Sequence, residues 1–511
     1  MKVMQKNRQS EKKEDDLTRS SQSTQKTFKD YFKKPELRYP NIKKEDEKFL
    51  KNVFVQSWGC QMNTADTERM LALLGQLNYR KTDSEENADL FLLNTCHIRE
   101  KARHKVVSRL GELKEYKVKD PNRLIIVAGC VAEAESDKLA KEVPFVDLIF
   151  GPDKIESLPE LLEKIVTREE KQSLESKSHP QVFTGFDKKS IGYSIPIDVV
   201  PPYKDETASQ VSRYVNIIKG CNNFCTFCVV PFTRGREKSR TLKEISSEVK
   251  NLVESGTKEV VLLGQNVNSY GLDLIGAEDT KSLNQRLPFA ELLHEVSQIE
   301  GIQRVRFTTS NPHDFTDDIL HVFKTQKKVI NAFHLPVQSG SDRVLKRMHR
   351  QYTRAHYLDL VSKIRAVRPQ IAFGTDIIVG FPGESENDFE ETVSLVEEMK
   401  YAYAYAFKYS IRKGTPAARF KDQVPEDIKD KRLQKLLSVL SQETLKQNKN
   451  EIGKELETLI LYKNLKQKNS WYGRSYEGRL IKVESKNDIL GETVQIKVEN
   501  ANQTALVGHI L

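Results

Sequence analysis

The chain divides its six cysteines into two sets of three, and that division limits what it can fold around more than any other feature. Cys221, Cys225 and Cys228 crowd into "GCNNFCTFC", Gly220 to Cys228, while Cys60, Cys96 and Cys130 are spread far upstream. Few and unevenly spaced, they do not form the framework of a secreted disulfide scaffold. A structural zinc ion normally closes with four ligands, commonly two Cys-x-x-Cys pairs. The block around Cys221 has no fourth cysteine, so zinc would need a histidine such as His313 or His334. A cubane iron–sulfur cluster on three thiolates needs no fourth and leaves one iron open, as a catalytic metal requires.

The upstream cysteines have a pattern of their own. "VFVQSWGC", "DLFLLNTC" and "LIIVAGC" are apolar runs that each end in a small or polar residue and a cysteine. Between them, "TADTERMLALLGQL" and "REKARHKVVSRLGELKEY" carry helical spacing. Strands alternating with helices predict a parallel α/β sheet over residues 51–168. Parallel strands share a carboxyl edge, the place where open α/β sheets hold ligands. Cys60, Cys96 and Cys130 should therefore converge there as a shared metal site, against the bland alternative of three buried thiols.

Residues 169–210, which contain "SIPIDVVPPYKDE", predict a linker. From 211 to 438 the alternation resumes through "SRYVNIIKGC", "EVVLLGQN", "RVRFTTSNP", "NAFHLPVQSG", "IAFGTDIIVGFPG" and "YAYAYAFKYS". Six such units predict a (β/α)6-type partial barrel, with functional loops at the carboxyl ends of its strands. Residues 441–508 change to short strands and polar turns, which predicts a small β-barrel. Residues 1–50 hold 14 Lys and Arg against 9 Asp and Glu and predict a disordered charged tail. That segment supplies half of the net charge of +10, so the charge alone is a weak pointer to an anionic partner. No signal peptide or membrane-spanning run is apparent, and a cytoplasmic protein is expected.

Cys-x-x-x-Cys-x-x-Cys after the first strand of a six-unit barrel, with Phe227 before the last cysteine, resembles the radical S-adenosylmethionine superfamily. In that superfamily the open iron chelates the cofactor and an electron cleaves it to a 5′-deoxyadenosyl radical. A three-cysteine α/β domain, a radical barrel and a small β-domain, in that order, resemble the methylthiotransferases over roughly residues 50–508. The resemblance implies two 4Fe–4S clusters, one on Cys60, Cys96 and Cys130 for the sulfur and one on Cys221, Cys225 and Cys228 for the radical. It names no catalytic residue beyond the clusters.

The family has branches, and "WGCQMNTADTERM", with Gln61, Met62 and Asn63, resembles the isopentenyl-tRNA branch. "NTCHIREKA", "CTFCVVPFTRGREKSR", "HLPVQSGSDRVLKRM" and "GTDIIVGFPGESENDFEET" agree with it, His97 being a departure from the small residue expected. The implied reaction places a methylthio group on C2 of N6-isopentenyl(dimethylallyl)adenosine at position 37 of tRNA. S-adenosylmethionine serves as both methyl donor and radical source. The inert C–H bond at C2 makes a radical necessary. The alternatives are the branches acting on threonylcarbamoyladenosine or on a ribosomal-protein aspartate, and, in another class, a non-catalytic RNA-binding or electron-transfer iron–sulfur protein. The implied partners are a tRNA anticodon stem-loop and a flavodoxin- or ferredoxin-type electron donor, with a monomeric enzyme and no membrane.

Strand ends suggest the cofactor contacts: Gly264, Gln265 and Asn266; Ser310 and Asn311; Gln338, Ser339 and Gly340; Asp376 and Gly380. Arg234, Arg236 and Arg240 are candidates for phosphate recognition. The last block resembles the TRAM RNA-binding module, in which Trp471 and Arg474 would stack on bases and pair with phosphates.

Overall fold

A computed structural model gives the fold and describes residues 51–96, 100–171, 180–186, 193, 210–275, 287–308 and 310–511. The tail expected over 1–50, His97 and most of the 169–210 linker lie outside the described residues. The chain divides into two compact units. Unit 1 comprises residues 1–204 and Val229–Glu248, and unit 2 comprises Asp205–Cys228 and Val249–Leu511. Unit 1 thus includes Val229–Glu248, a segment that follows Cys228 and lies within the second block of the sequence division. The reason is local, since Arg234 pairs with Asp66 and Tyr193 N–H donates to the Ser239 carbonyl, all within unit 1.

Unit 1 is built on one parallel sheet. Its strands are β1 (Lys51–Trp58), β2 (Tyr79–Thr82), β3 (Leu90–Thr95), β4 (Leu124–Gly129), β5 (Leu148–Phe150) and β6 (Gln181–Phe183), in spatial order β2-β1-β3-β4-β5-β6. Every ladder is parallel. Strands β3 and β4 are buried at all positions because helices cover both faces. On one face Leu90, Leu92, Ile126 and Phe150 meet helices α1 (Gln61–Gln76) and α4 (Leu158–Lys171). On the other, Phe91, Leu93, Ile125 and Ile149 meet α2 (Glu100–Lys119) and α3 (Cys130–Glu142). The order reverses between β1 and β3, and such a switch point opens a crevice beyond the carboxyl ends of the strands.

Unit 2 begins with β7 (Ser212–Asn216), β8 (Glu259–Leu263) and β9 (Arg304–Phe307), all parallel. A parallel bridge from Val305 to Val329 leads into β10 (Ala332–His334), β11 (Ala372–Val379) and β12 (Tyr403–Lys408). These six strands in sequence order make the expected partial barrel, and among the described residues no ladder joins β12 back to β7. Helix α5 (Glu426–Lys449) covers the outer face of β12, where Lys408 pairs with Asp430 at 2.7 Å. That helix runs through residue 441, so the last block starts later than its sequence suggested.

The last block is a closed five-stranded barrel of β13 (Glu455–Lys463), β14 (Ser470–Ser475), β15 (Leu480–Glu484), β16 (Thr493–Ala501) and β17 (Leu506–Ile510). It docks within unit 2 through buried polar anchors. Arg304 donates to the Arg474 carbonyl (2.5 Å) and to Glu457 (3.1 Å), and the Tyr476 hydroxyl donates to the Lys327 carbonyl (2.6 Å). Trp471, expected at an RNA surface, is instead 3% exposed in the barrel core, where its indole N–H satisfies the Ser485 carbonyl. Five short strands need one large apolar filler, and Trp471 provides it among Leu456, Ile460 and Ile496. Among the described residues no helix is long and apolar enough to cross a membrane.

Candidate active site

The first three thiols stand where parallel-strand geometry requires. Cys60 is two residues past β1, Cys96 follows β3 directly, and Cys130 follows β4 and opens α3. Cys60 occupies the N-cap of α1, so two of the three thiols sit at helix N-termini, where the dipole favours thiolate. The glycines before them are sterically required. Gly59 has φ +153° and a Cβ there would stand 2.5 Å from the Cβ of Cys96; at Gly129, with φ +97°, it would stand 2.3 Å from Asn94 Oδ1.

A buried amide network fixes this edge. Asn63 Nδ2 donates to Asn94 Oδ1 (3.1 Å), and Asn94 Nδ2 donates to the Asn63 carbonyl (2.8 Å) and to Thr67 (2.9 Å). The Cys60 thiol donates to Asn63 Oδ1 at 3.2 Å. Asn63, noted in sequence only as part of a signature, therefore ties the first cysteine loop to β3. One further charge reaches the site: Arg234 donates to Asp66 Oδ2 at 2.7 Å, with the side chains 6% and 8% exposed. Its guanidinium is also in hydrogen-bonding contact with Cys130. The contact with Cys96 and the nearby Arg234 charge lower the Cys60 pKa to about 6, whereas burial pushes Cys130 up.

In unit 2 the second triad lies on the loop after β7. Cys221 and Cys225 are buried and Cys228 is half-buried. Thr226 accepts from the backbone of Ala417 and donates to Met348 and Arg347, which pins the loop. Phe227 packs against Val344, Met348, Phe381 and Tyr409. Arg350 donates to the Cys225 thiol at 3.3 Å. Its other contacts are the Tyr352 hydroxyl (3.0 Å), the Tyr352 ring and the Pro336 carbonyl, none of them anionic. Sequence reasoning missed Arg350, as it did the pairing of Asp66 with Arg234.

Among the described residues no three His, Cys, Asp or Glu side chains gather around a single-ion position. A cubane makes a looser demand, because each thiolate meets a different iron. His334, one candidate fourth ligand for zinc, is engaged with Asp376 at 3.1 Å, and His313 is exposed.

The expected cofactor contacts separate into two groups. Gln265 Oε1 accepts from the Gly220 backbone (2.5 Å), and a Cβ at Gly264 would strike Ile218 at 2.4 Å. Ser339 and Gly340 bond to Thr392, and a Cβ at Gly340 would meet the Glu391 carbonyl at 2.6 Å. Gly380 admits Lys429 at φ +69°, and its N–H is taken by Glu384. In these five the Cβ space or the polar group named is already occupied within unit 2. Gln338 bridges to Ile377 in the left-handed region at φ +67°, and Asn311 caps His313. Asn266 Oδ1 and Ser310 Oγ, joined by the amide of Asn268, are buried at the strand ends without hydrogen-bond partners. Orphaned polar atoms of that kind suit a polar ligand.

Of the five residues expected to meet RNA, only Arg236 is exposed among the arginines. Arg234 is held by Asp66, and Arg240 is fully buried against Glu248 at 2.5 Å. Arg474 donates to the Gly478 carbonyl inside unit 2 and its pKa is lowered, chiefly by Arg306. Burial and internal partners remove these three, and Trp471 with them, from a phosphate-reading surface.

Two family descriptions match: "Uncharacterized protein family UPF0004" over residues 52–151 and "Radical SAM superfamily" over residues 215–396. A protein of Clostridium botulinum strain Hall, named tRNA-2-methylthio-N(6)-dimethylallyladenosine synthase, is 44% identical over 91% of this chain and 98% of its own. A protein of the same name from Carboxydothermus hydrogenoformans is 41% identical over 90% of this chain and 99% of its own. Among solved structures, the radical S-adenosylmethionine methyltransferase TsrM from Kitasatospora setae is similar at TM-score 0.49 and 12% identity, covering 72% of this chain and 75% of that one.

Proposed function

The chain belongs to the tRNA-2-methylthio-N(6)-dimethylallyladenosine synthase family, and on that premise we propose how its two cysteine sites divide the work. It transfers a methylthio group to C2 of N6-dimethylallyladenosine in tRNA, using S-adenosylmethionine. Membership of the radical SAM superfamily implies that cofactor and a 4Fe–4S cluster, for which Cys221, Cys225 and Cys228 are the ligands. Cys60, Cys96 and Cys130 would hold a second cluster, which would supply the sulfur to be transferred. When bound, the clusters supply the electron that cleaves the cofactor and the sulfur that is delivered.

The single observation that carries this division is the placement of six thiols in two triads, one at the switch point of unit 1 and one on the first loop of the unit 2 barrel. Around the second triad the protein excludes water with Phe227 and Phe381 and holds Cys225 with Arg350. Asn266, Asn268 and Ser310 offer unpaired polar atoms to the bound cofactor. The anticodon stem-loop of tRNA is the macromolecular substrate. Exposed Arg236 contributes to its recognition. A flavodoxin- or ferredoxin-type protein supplies electrons to a monomeric, cytoplasmic enzyme.

The test uses the anaerobically reconstituted chain with S-adenosylmethionine, dithionite and a stem-loop RNA carrying dimethylallyladenosine. Cys221→Ala should abolish both 5′-deoxyadenosine and the methylthiolated base. Cys60→Ala should abolish the methylthiolated base while cofactor cleavage persists. Full product formation by Cys60→Ala would show that the upstream triad is not the sulfur site.

A further inference from the structure

Strand β12 presents an apolar face to which the reaction described above assigns no role. Its register pairs Tyr403 with Gly374, Tyr405 with Asp376 and Phe407 with Ile378, so these six residues share one face of the β11–β12 ladder. The opposite face of β12 carries Ala404, Ala406 and Lys408, and Lys408 reaches Asp430 and Glu426 of the covering helix α5. The face with Tyr405 and Phe407 is therefore the concave, inner face of the partial barrel. In a packed barrel such residues would be filled in. Here Tyr405 is 57% and Phe407 42% exposed.

The wall has a polar foot and an apolar head. At the foot, His334 stacks on the Tyr403 ring at 5.7 Å and bonds to Asp376 at 3.1 Å. At the head, Tyr409 packs with Phe227, the residue before Cys228, so the wall leads to the loop of the second thiol triad. A nucleobase carrying a five-carbon apolar branch on an exocyclic N–H matches this surface, since the branch needs apolar area and the N–H an acceptor.

We propose that Tyr405 and Phe407 on the inner face of the barrel bind the dimethylallyl group of the substrate nucleoside, with the Asp376 carboxylate accepting from its N6–H. The inference rests on the substrate reading above and adds the residues that select that substrate. Selection follows from area: an adenosine without the branch leaves the two rings wet and gains nothing from them.

The experiment measures binding of the full reconstituted chain to two fluorescent anticodon stem-loops, one with dimethylallyladenosine and one with unmodified adenosine, by anisotropy. Phe407→Ser and Tyr405→Ser should each weaken the modified RNA about fourfold to fifteenfold, as loss of one to two methylenes' worth of burial implies. The unmodified RNA should bind as before, and Phe407→Leu should restore most of the preference. Equal weakening of both RNAs, or none, overturns the proposal while the substrate reading stands. A wild-type chain that does not distinguish the two RNAs overturns both. If the substitutions instead change the sedimentation of the RNA-free protein, the wall is a contact between copies and the proposal fails.

Discussion

Asp66→Asn is the substitution whose effect should depend most on whether the first thiol triad is loaded. Asp66 neutralises Arg234 at 2.7 Å with both side chains nearly buried. Breaking a buried pair by removing one partner costs about 3–5 kcal/mol, because the remaining charge is left without compensation. The lower end applies to the metal-free chain, since Cys60, with its pKa lowered to about 6, already gives a partial counter-charge at neutral pH. Local opening of helix α1, which carries Asp66, should then become easier by about 3 kcal/mol, or roughly 150-fold faster amide exchange over Gln61–Gln76. With a cluster bound, the Cys60 and Cys130 thiols near this guanidinium would both be thiolates, and the acceleration should fall below about tenfold. Hydrogen exchange by mass spectrometry on the two forms reads this directly. Equal acceleration in both forms, or none in the metal-free form, would refute the argument that the pair and the thiols share one charge balance.

Other consequences follow from single contacts. Arg350→Met removes the cation at 3.3 Å from Cys225 and should make the midpoint potential of the second-triad cluster more negative, as followed by EPR in a redox titration; an unchanged potential counts against it. Burial raises the Glu384 carboxyl from 4.5 to about 7 despite the Gly380 N–H and Arg432. The folded chain then holds a proton that the unfolded chain releases near 4.5. Stability from this group is present at low pH and falls by ~3 kcal/mol as pH rises from about 4.5 through 7. Glu384→Gln should flatten that part of the melting-temperature profile, and an unaltered slope would mean Arg432 keeps the carboxylate ionised. Gly340→Ala places a methyl 2.6 Å from the Glu391 carbonyl oxygen and the Thr392 Cα, and should lower the unfolding free energy by about 1–3 kcal/mol, read from the denaturant midpoint.

Much of the architecture was legible because it depends on short-range pattern. Continuous apolar runs marked β3 and β4 as strands buried on both faces, and the cysteine after each run placed a thiol at the carboxyl edge. "YAYAYAFK" announced two distinct faces, and β12 has them. What stayed hidden depends on contacts between distant residues. Asp66 and Arg234 are 168 positions apart, and Cys225 and Arg350 are 125 apart, so no local periodicity links them. Trp471 and Arg474 misled because alternating aromatic and basic residues look alike whether the aromatic fills a barrel or faces a base. The glycines before the cysteines were legible as small residues at strand ends, but not as the reason helix α1 and strand β3 can approach. The repeated Gly-Cys pair at Gly59, Gly129 and Gly220, each with φ in the left-handed range, was the available signal.

The central claim is tested most directly by mass spectrometry of tRNA nucleosides from a strain lacking this gene, with and without the gene restored. Loss of 2-methylthio-N6-dimethylallyladenosine, accumulation of N6-dimethylallyladenosine, and reversal of both on restoration are the predicted results. An unchanged level of the methylthiolated nucleoside in the deletion strain would contradict the account.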